Sequence, residues 1–142
     1  MTQTFAYYAM VFYKRFAAYT ARRLQSLGLN FGALFLVLYV GRHPGCTQAE
    51  LTEALGLDWG YSQRSIKRLE EEGFLTREKD GRAFHLTLSQ RGQEAFAVSH
   101  QVFHDWDADA LAVLTPEEQA QLLHLLGKIK RKEANDQACT TS

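Results

Sequence analysis

The sequence predicts a mainly α-helical fold with one small β-hairpin, an α+β arrangement, and three observations support this. Apolar residues recur at steps of three and four through most of the 142 residues. Capping residues before those runs and glycines after them cut the pattern into separate helices. Between 75 and 88 the period drops to two, around an Asp80-Gly81 turn signal.

The first helix spans about 5–25. Phe5, Tyr8, Phe12, Phe16 and Tyr19 form its apolar stripe, Lys14, Arg15, Arg22 and Arg23 its other face, and Gly28 stops it. Such a stripe is either core or a face that packs on a partner subunit. Residues 31–42 make a second helix, apolar nearly all round and therefore central, which Pro44-Gly45 ends. Thr47-Gln48-Ala49-Glu50 is a capping box for a third helix to about Leu55, closed by Gly56. Asp58 caps a fourth helix through about Glu72, terminated by Gly73. Leu75 to Lys79 then pairs with a second strand in which Phe84, Leu86 and Leu88 alternate with Ala83, His85 and Thr87, the pattern of a half-buried strand. Ser89 caps a fifth helix with Phe96, Phe103, Trp106 and Ala110 on one face. Thr115-Pro116-Glu117-Glu118 is a second capping box, opening a last helix that Leu122, Leu126 and Ile129 make amphipathic. The polar stretch from about Arg131 is expected to fray.

Composition narrows the function. Hydrophobic residues make up 46%, enough for a packed core. The longest apolar run, Phe31 to Val40, is too short to span a bilayer and reads as a core helix. The first residues carry no signal-peptide pattern, so a cytoplasmic location is expected. Cys46 and Cys139 have no framework spacing, and no CxxC or zinc-finger pattern occurs. No phosphate loop, dinucleotide motif or nucleophile–base constellation is present, so no enzyme is expected. Sixteen basic residues balance sixteen acidic ones, which does not favour a nucleic-acid partner. The charges are unevenly distributed, however. Arg64, Lys67 and Arg68 fall in a stretch without acids, while acids gather at Glu70 to Glu72 and between Asp105 and Glu118.

The third and fourth helices, joined by Gly56-Leu57-Asp58, have helix-turn-helix geometry, with the fourth able to enter a major groove about 12 Å wide. Its inner face is Ser62, Ile66 and Leu69; its outer face is Gly60, Tyr61, Gln63, Arg64 and Lys67. Arg64 can offer two donors to guanine, and Gln63 a bidentate contact to adenine. Tyr61 can reach a phosphate or a thymine methyl, while Lys67 and Arg68 suit the backbone. Taken alone, this face also fits an ordinary solvated helix. The hairpin that follows carries Arg77 and ends at Lys79-Asp80-Gly81-Arg82, a basic tip suited to a neighbouring minor groove.

These linked motifs resemble the MarR family of winged helix-turn-helix regulators over about residues 5–130. Thr47-Gln48-Ala49-Glu50-Leu51 through Leu57 is similar to its positioning helix, and Asp58 through Leu75 to its recognition helix and exit. Asp80-Gly81-Arg82, five residues, then Leu88-Ser89 resembles its wing signature D-x-R-x5-L-T, with Ser for Thr, and Gly92 and Leu114-Thr115-Pro116-Glu117-Glu118 follow in place. The Gly73 to Asp80 span is shorter than the usual wing. The resemblance implies a homodimer on a palindromic duplex operator, acting as a repressor relieved by a small-molecule effector. It implies Tyr61, Gln63 and Arg64 as groove readers, Arg82 as the wing arginine and Asp80 as a residue that braces the wing. Residues 1–30 and 93–133 would form the dimerisation region through Phe5, Tyr8, Phe12, Leu114, Leu122, Leu126 and Ile129. Residues 31–92 would bind DNA, and 134–142 would be a flexible tail.

Other chemistry has weaker support. His100 and His104, four residues apart with Asp107 following, could hold a metal, as in zinc-sensing relatives, or be two neutral histidines on a partly exposed helix. Cys46, just ahead of a helix N-terminus, could ionise easily and sense oxidants, or be a small buried filler. Phe12, Phe35 and Phe96 could line a site for an apolar or aromatic effector, or simply be core. No cofactor is expected beyond such an effector. The rival class is a winged-helix protein-interaction module that does not bind DNA.

Overall fold

A computed structural model describes residues 3–140, and the side chains of 3–133. The chain runs α1 (Phe5–Leu24), a 3-10 turn (Gln25–Leu27), α2 (Phe31–Arg42), α3 (Gln48–Leu55), α4 (Trp59–Glu71), β1 (Leu75–Asp80), β2 (Ala83–Leu88), α5 (Gln90–Ala110) and α6 (Pro116–Thr140). The tail expected to be flexible over 134–142 lies outside the residues whose side chains are described.

Each helix described starts on a side chain that satisfies a free backbone N–H. Thr47 and Glu50 cap α3 reciprocally at 3.2 Å each way, and Thr115 and Glu118 do the same for α6. Asp58 accepts from Tyr61 N at 3.1 Å, and Ser89 from Gly92 N at 3.0 Å. Thr4 and Asn30 cap α1 and α2 in the same way. Each cap contributes about 1 kcal/mol and, more usefully here, fixes where its helix begins.

The chain divides into two compact units after Trp106. In the first, α2 is the central element. Leu34, Leu36, Val37 and Val40 are buried with Leu51 of α3, Ile66 and Leu69 of α4, Phe74, and Leu75 and Leu86 of the hairpin. Phe16 of α1 packs edge-on against Phe31, Phe103 and Trp106 with centroids 5.0–5.8 Å apart. Among the described residues no single helix is long and apolar enough to cross a membrane. The second unit holds the turn into α6, where Gln119 Nε2 donates to the carbonyls of Leu111 and Leu114.

The hairpin is antiparallel, in register from Leu75↔Leu88 to Asp80↔Ala83. Its base is anchored by a bridge between Cys46 and Leu86 and by a 2.8 Å bond from His85 Nδ1 to the Gly45 carbonyl oxygen. Two sequence expectations need correcting. Phe84 does not alternate inward; it is 46% exposed, because the hairpin runs past the core, which Leu75, Leu86 and Leu88 reach from nearer its base. Ala110, placed with the inner residues of α5, is exposed at the helix end. On α6, Leu125 joins the expected Leu122, Leu126 and Ile129 at helical spacing, and Leu125, Leu126 and Ile129 are exposed.

Candidate nucleic-acid interface

The interface is built on the inner side of α4. Ser62, Ile66 and Leu69 are buried, and Ser62 Oγ meets Thr52 Oγ1 of α3 at 2.6 Å. This single polar link inside an apolar contact sets the two helices of the turn against each other. With the inner face fixed, helical spacing sends the opposite side outward. Gln63, Arg64 and Lys67 are exposed, and among the described residues Arg64 and Lys67 have no acidic partner. A Cβ at Gly60 would lie 3.1 Å from Arg64 Nη1, so the absent side chain leaves that guanidinium room over the first turn of α4.

The other expected contacts divide. Tyr61 lies on the flank of α4, 41% exposed, with its hydroxyl over Gly32 at the start of α2. Arg68 pairs with Glu72 at 2.9 Å, and that carboxylate holds its guanidinium above the usual range. Arg77 pairs with Glu70 of α4 at 2.6 Å, which ties the hairpin to the helix. Arg82 is at the far end of the hairpin, in a two-residue turn with Gly81, whose φ of 66° at the first central position suits a type II′ turn. It is exposed and without an acidic partner among the described residues. Lys79 lies 6.0 Å from the Phe84 ring. Asp80, expected to brace the hairpin, has no partner for its carboxylate among the described residues. The bracing comes instead from Arg77–Glu70, His85–Gly45 and the Thr76–Thr87 hydroxyl pair at 2.6 Å.

Sequence reading missed Trp59 and Phe84, which are 53% and 46% exposed and face one cleft with Arg77, Gln48 and Leu86. The only available signal was an aromatic residue at the first helical position, where apolar side chains usually turn inward.

The expected ligand-lining phenylalanines have three different surroundings. Phe12 stacks on Tyr8 and is 45% exposed. Phe35 packs between Phe31 and Phe103, while Phe96 lies against Gly41 and His100. His100 and His104 approach to 3.1 Å through their Nε2 atoms, but no group of three or more metal-ligating side chains forms among the described residues. Of the two readings of Cys46, the structure bears out the small buried filler. It is buried, and burial together with the nearby Glu50 charge raises its thiol pKa instead of easing ionisation. The expected dimer residues Phe5, Tyr8, Phe12, Leu126 and Ile129 are exposed, with Met10 and Tyr13 beside them, while Leu114 and Leu122 are half-buried.

Known proteins share this arrangement. The MarR family model matches residues 27–83, from the end of the 3-10 turn to the start of β2. The transcriptional regulator BilQ of Clostridium symbiosum is 43% identical over 139 residues, covering 95% of this chain and 96% of its own. The transcriptional regulator SlyA superposes with a TM-score of 0.88 at 21% identity, covering 94% of this chain and 96% of its own. A MarR-family structure from Listeria monocytogenes, complexed with 26-mer DNA, superposes at 0.87 with 21% identity, covering 95% and 92%. These relatives are regulators of transcription and not enzymes. A fold shared along nearly the whole length, with substantial identity to a regulator of matching length, places this chain in the MarR family of transcriptional regulators.

Proposed function

We propose that the chain is a cytoplasmic homodimeric regulator that reads a palindromic duplex operator and represses transcription until a small apolar or aromatic effector releases it. The observation that carries the DNA-reading part is the outer face of α4. There Gln63, Arg64 and Lys67 stand exposed, the two cations without acidic partners among the described residues, on a helix held rigid from behind. Arg64 and Gln63 supply paired donors for base edges, while Lys67 and Arg82 supply charge for the backbone and the minor groove. The DNA in the Listeria relative supports the same use of this fold. Apolar side chains exposed on α1 and α6, separately in each unit, support a partner of the same kind, because a monomer would leave them in water. An interaction module without DNA is disfavoured, since a protein partner would select an apolar outer face on α4.

The test is selection of bound duplexes from a random pool, repeated with Arg64→Ala. The expected result is a two-fold symmetric sequence with half-sites one helical turn apart, and a preference relaxed at one base position per half-site in the variant. Selection that enriches nothing would defeat the reading.

A further inference from the structure

In B-form DNA the major groove and the adjacent minor groove are separated by a single sugar–phosphate strand. A protein that places α4 in one and a hairpin tip in the other must let that strand cross the surface between them. Here that surface is a cleft of about 370 Å³ between the start of α3, the start of α4 and the inner face of the hairpin. Two of its walls are Trp59 and Phe84, large aromatic side chains about half exposed that take no part in the core. Arg77 also lines it, with its guanidinium 5.3 Å over the Phe84 ring and 2.6 Å from the Glu70 carboxylate. Both side chains of that pair are 29% exposed, so neither is sealed from an incoming ion.

We propose that this cleft seats the sugar–phosphate strand between the two grooves, and that Arg77 exchanges Glu70 for a phosphate when the strand arrives. The proposal rests on the DNA-binding reading above and adds residues to it. The aromatic walls present apolar faces of the size a deoxyribose needs. Arg77, over the Phe84 ring, supplies a positive charge for a passing phosphate. Glu70 then acts as an internal counterion. It cancels Arg77 in the free protein, and once the exchange is made its charge stands beside the phosphate and opposes binding. A strand contact of this kind carries no base information, so it changes affinity while leaving sequence preference alone.

The test uses the full chain and a duplex recovered by selection, with affinity measured between 50 and 200 mM salt and circular dichroism as the folding check. Glu70→Gln is expected to bind several-fold tighter at the low-salt end, with unchanged base preference. Arg77→Gln is expected to bind more weakly and to lose about three- to fourfold less affinity across that salt range, the share of one phosphate. Should Arg77→Gln fold poorly, single neutral methylphosphonates walked along the duplex replace it. One position is expected to weaken the wild type and to abolish the Glu70→Gln gain. A folded Glu70→Gln that binds equally or less tightly makes the pair a structural strut and overturns the proposal, as does a gain that survives neutralisation of every phosphate in turn. A wild type that binds no duplex at all defeats the underlying DNA-binding reading, whereas duplex binding without these effects defeats this proposal alone.

Discussion

The ring of Phe96 on α5 fills the space that a side chain on Gly41 of α2 would need. A methyl group at Gly41 would collide with three ring carbons, and the ring also stacks with His100. Gly41→Ala is therefore expected to destabilise the fold by about 1–3 kcal/mol through overpacking. This holds although alanine is the better helix former by about 1 kcal/mol. Denaturant unfolding measures it, and Phe96→Leu in the same background should recover part of the loss. Gly92 presents a harder case, because its missing Cβ faces the Phe74 carbonyl, held in place by the Ser89 N–H at 3.0 Å. Backbone cannot step aside as a ring can, so Gly92→Ala should cost more than Gly41→Ala. The reverse order would mean that the ring, not the carbonyl, is the rigid neighbour.

Thr52 and Ser62 share the hydroxyl contact that fixes the helix-turn-helix angle. Ser62 is fully buried, so removing its partner leaves a hydroxyl with neither protein nor water. Thr52→Val is expected to cost about 1–3 kcal/mol on that account. Adding Ser62→Ala removes the orphaned group and should return much of it. A double-mutant cycle on unfolding free energies reads the coupling, and strict additivity of the two changes would show that the hydroxyls do not interact.

Much of this architecture was legible in the sequence because its determinants are local. The caps at Thr47, Asp58, Ser89 and Thr115 act within four residues of themselves, and the inward row Ser62, Ile66, Leu69 is set by helical period alone. What escaped depends on contacts between elements. Arg77 and Glu70 are seven residues apart, yet they meet only because β1 folds back past α4. Phe84 obeys the strand period and is still exposed, because period gives the face and not how far the core extends along it. Tyr61 is on the flank of α4 by spacing, but only the bare Gly32 beneath it shows where its hydroxyl rests. Cys46 lies next to a helix start, and burial outweighs what that position would do to a thiol.

Cys46 makes stability depend on pH in one direction. Its thiol pKa is raised in the folded state by burial and by Glu50, from an ordinary value of 9.0. The folded protein thus holds that proton more tightly than the unfolded chain. Below pH 9 both states are protonated and the stabilisation is intact; as pH rises past 9 the unfolded chain ionises first, and stability falls. Unfolding free energies taken from pH 7 to 10 should decline above pH 9 in the wild type and less so in Cys46→Ala, whatever offset the lost packing adds. Parallel curves would remove the thiol from the account.

Arg82 occupies the second central position of the turn that ends the hairpin, while the strand pairing stops at Asp80↔Ala83. Six residues per strand put it about 20 Å from the hairpin base. The tip extends from a base pinned at Cys46–Leu86 and Arg77–Glu70. If Arg82 enters the minor groove as a single cation, Arg82→Ala should weaken operator binding and reduce the steepness of log affinity against log salt by about one. Weakening should also be greater where the flanking sequence narrows the minor groove, since the charge is drawn by the potential there. Binding titrations at four or five salt concentrations, on operators with A-tract and G·C flanks, separate these two effects. An unchanged slope on both would place the tip outside the DNA, and the short hairpin would then serve only to hold Arg77 and Phe84 beside α4.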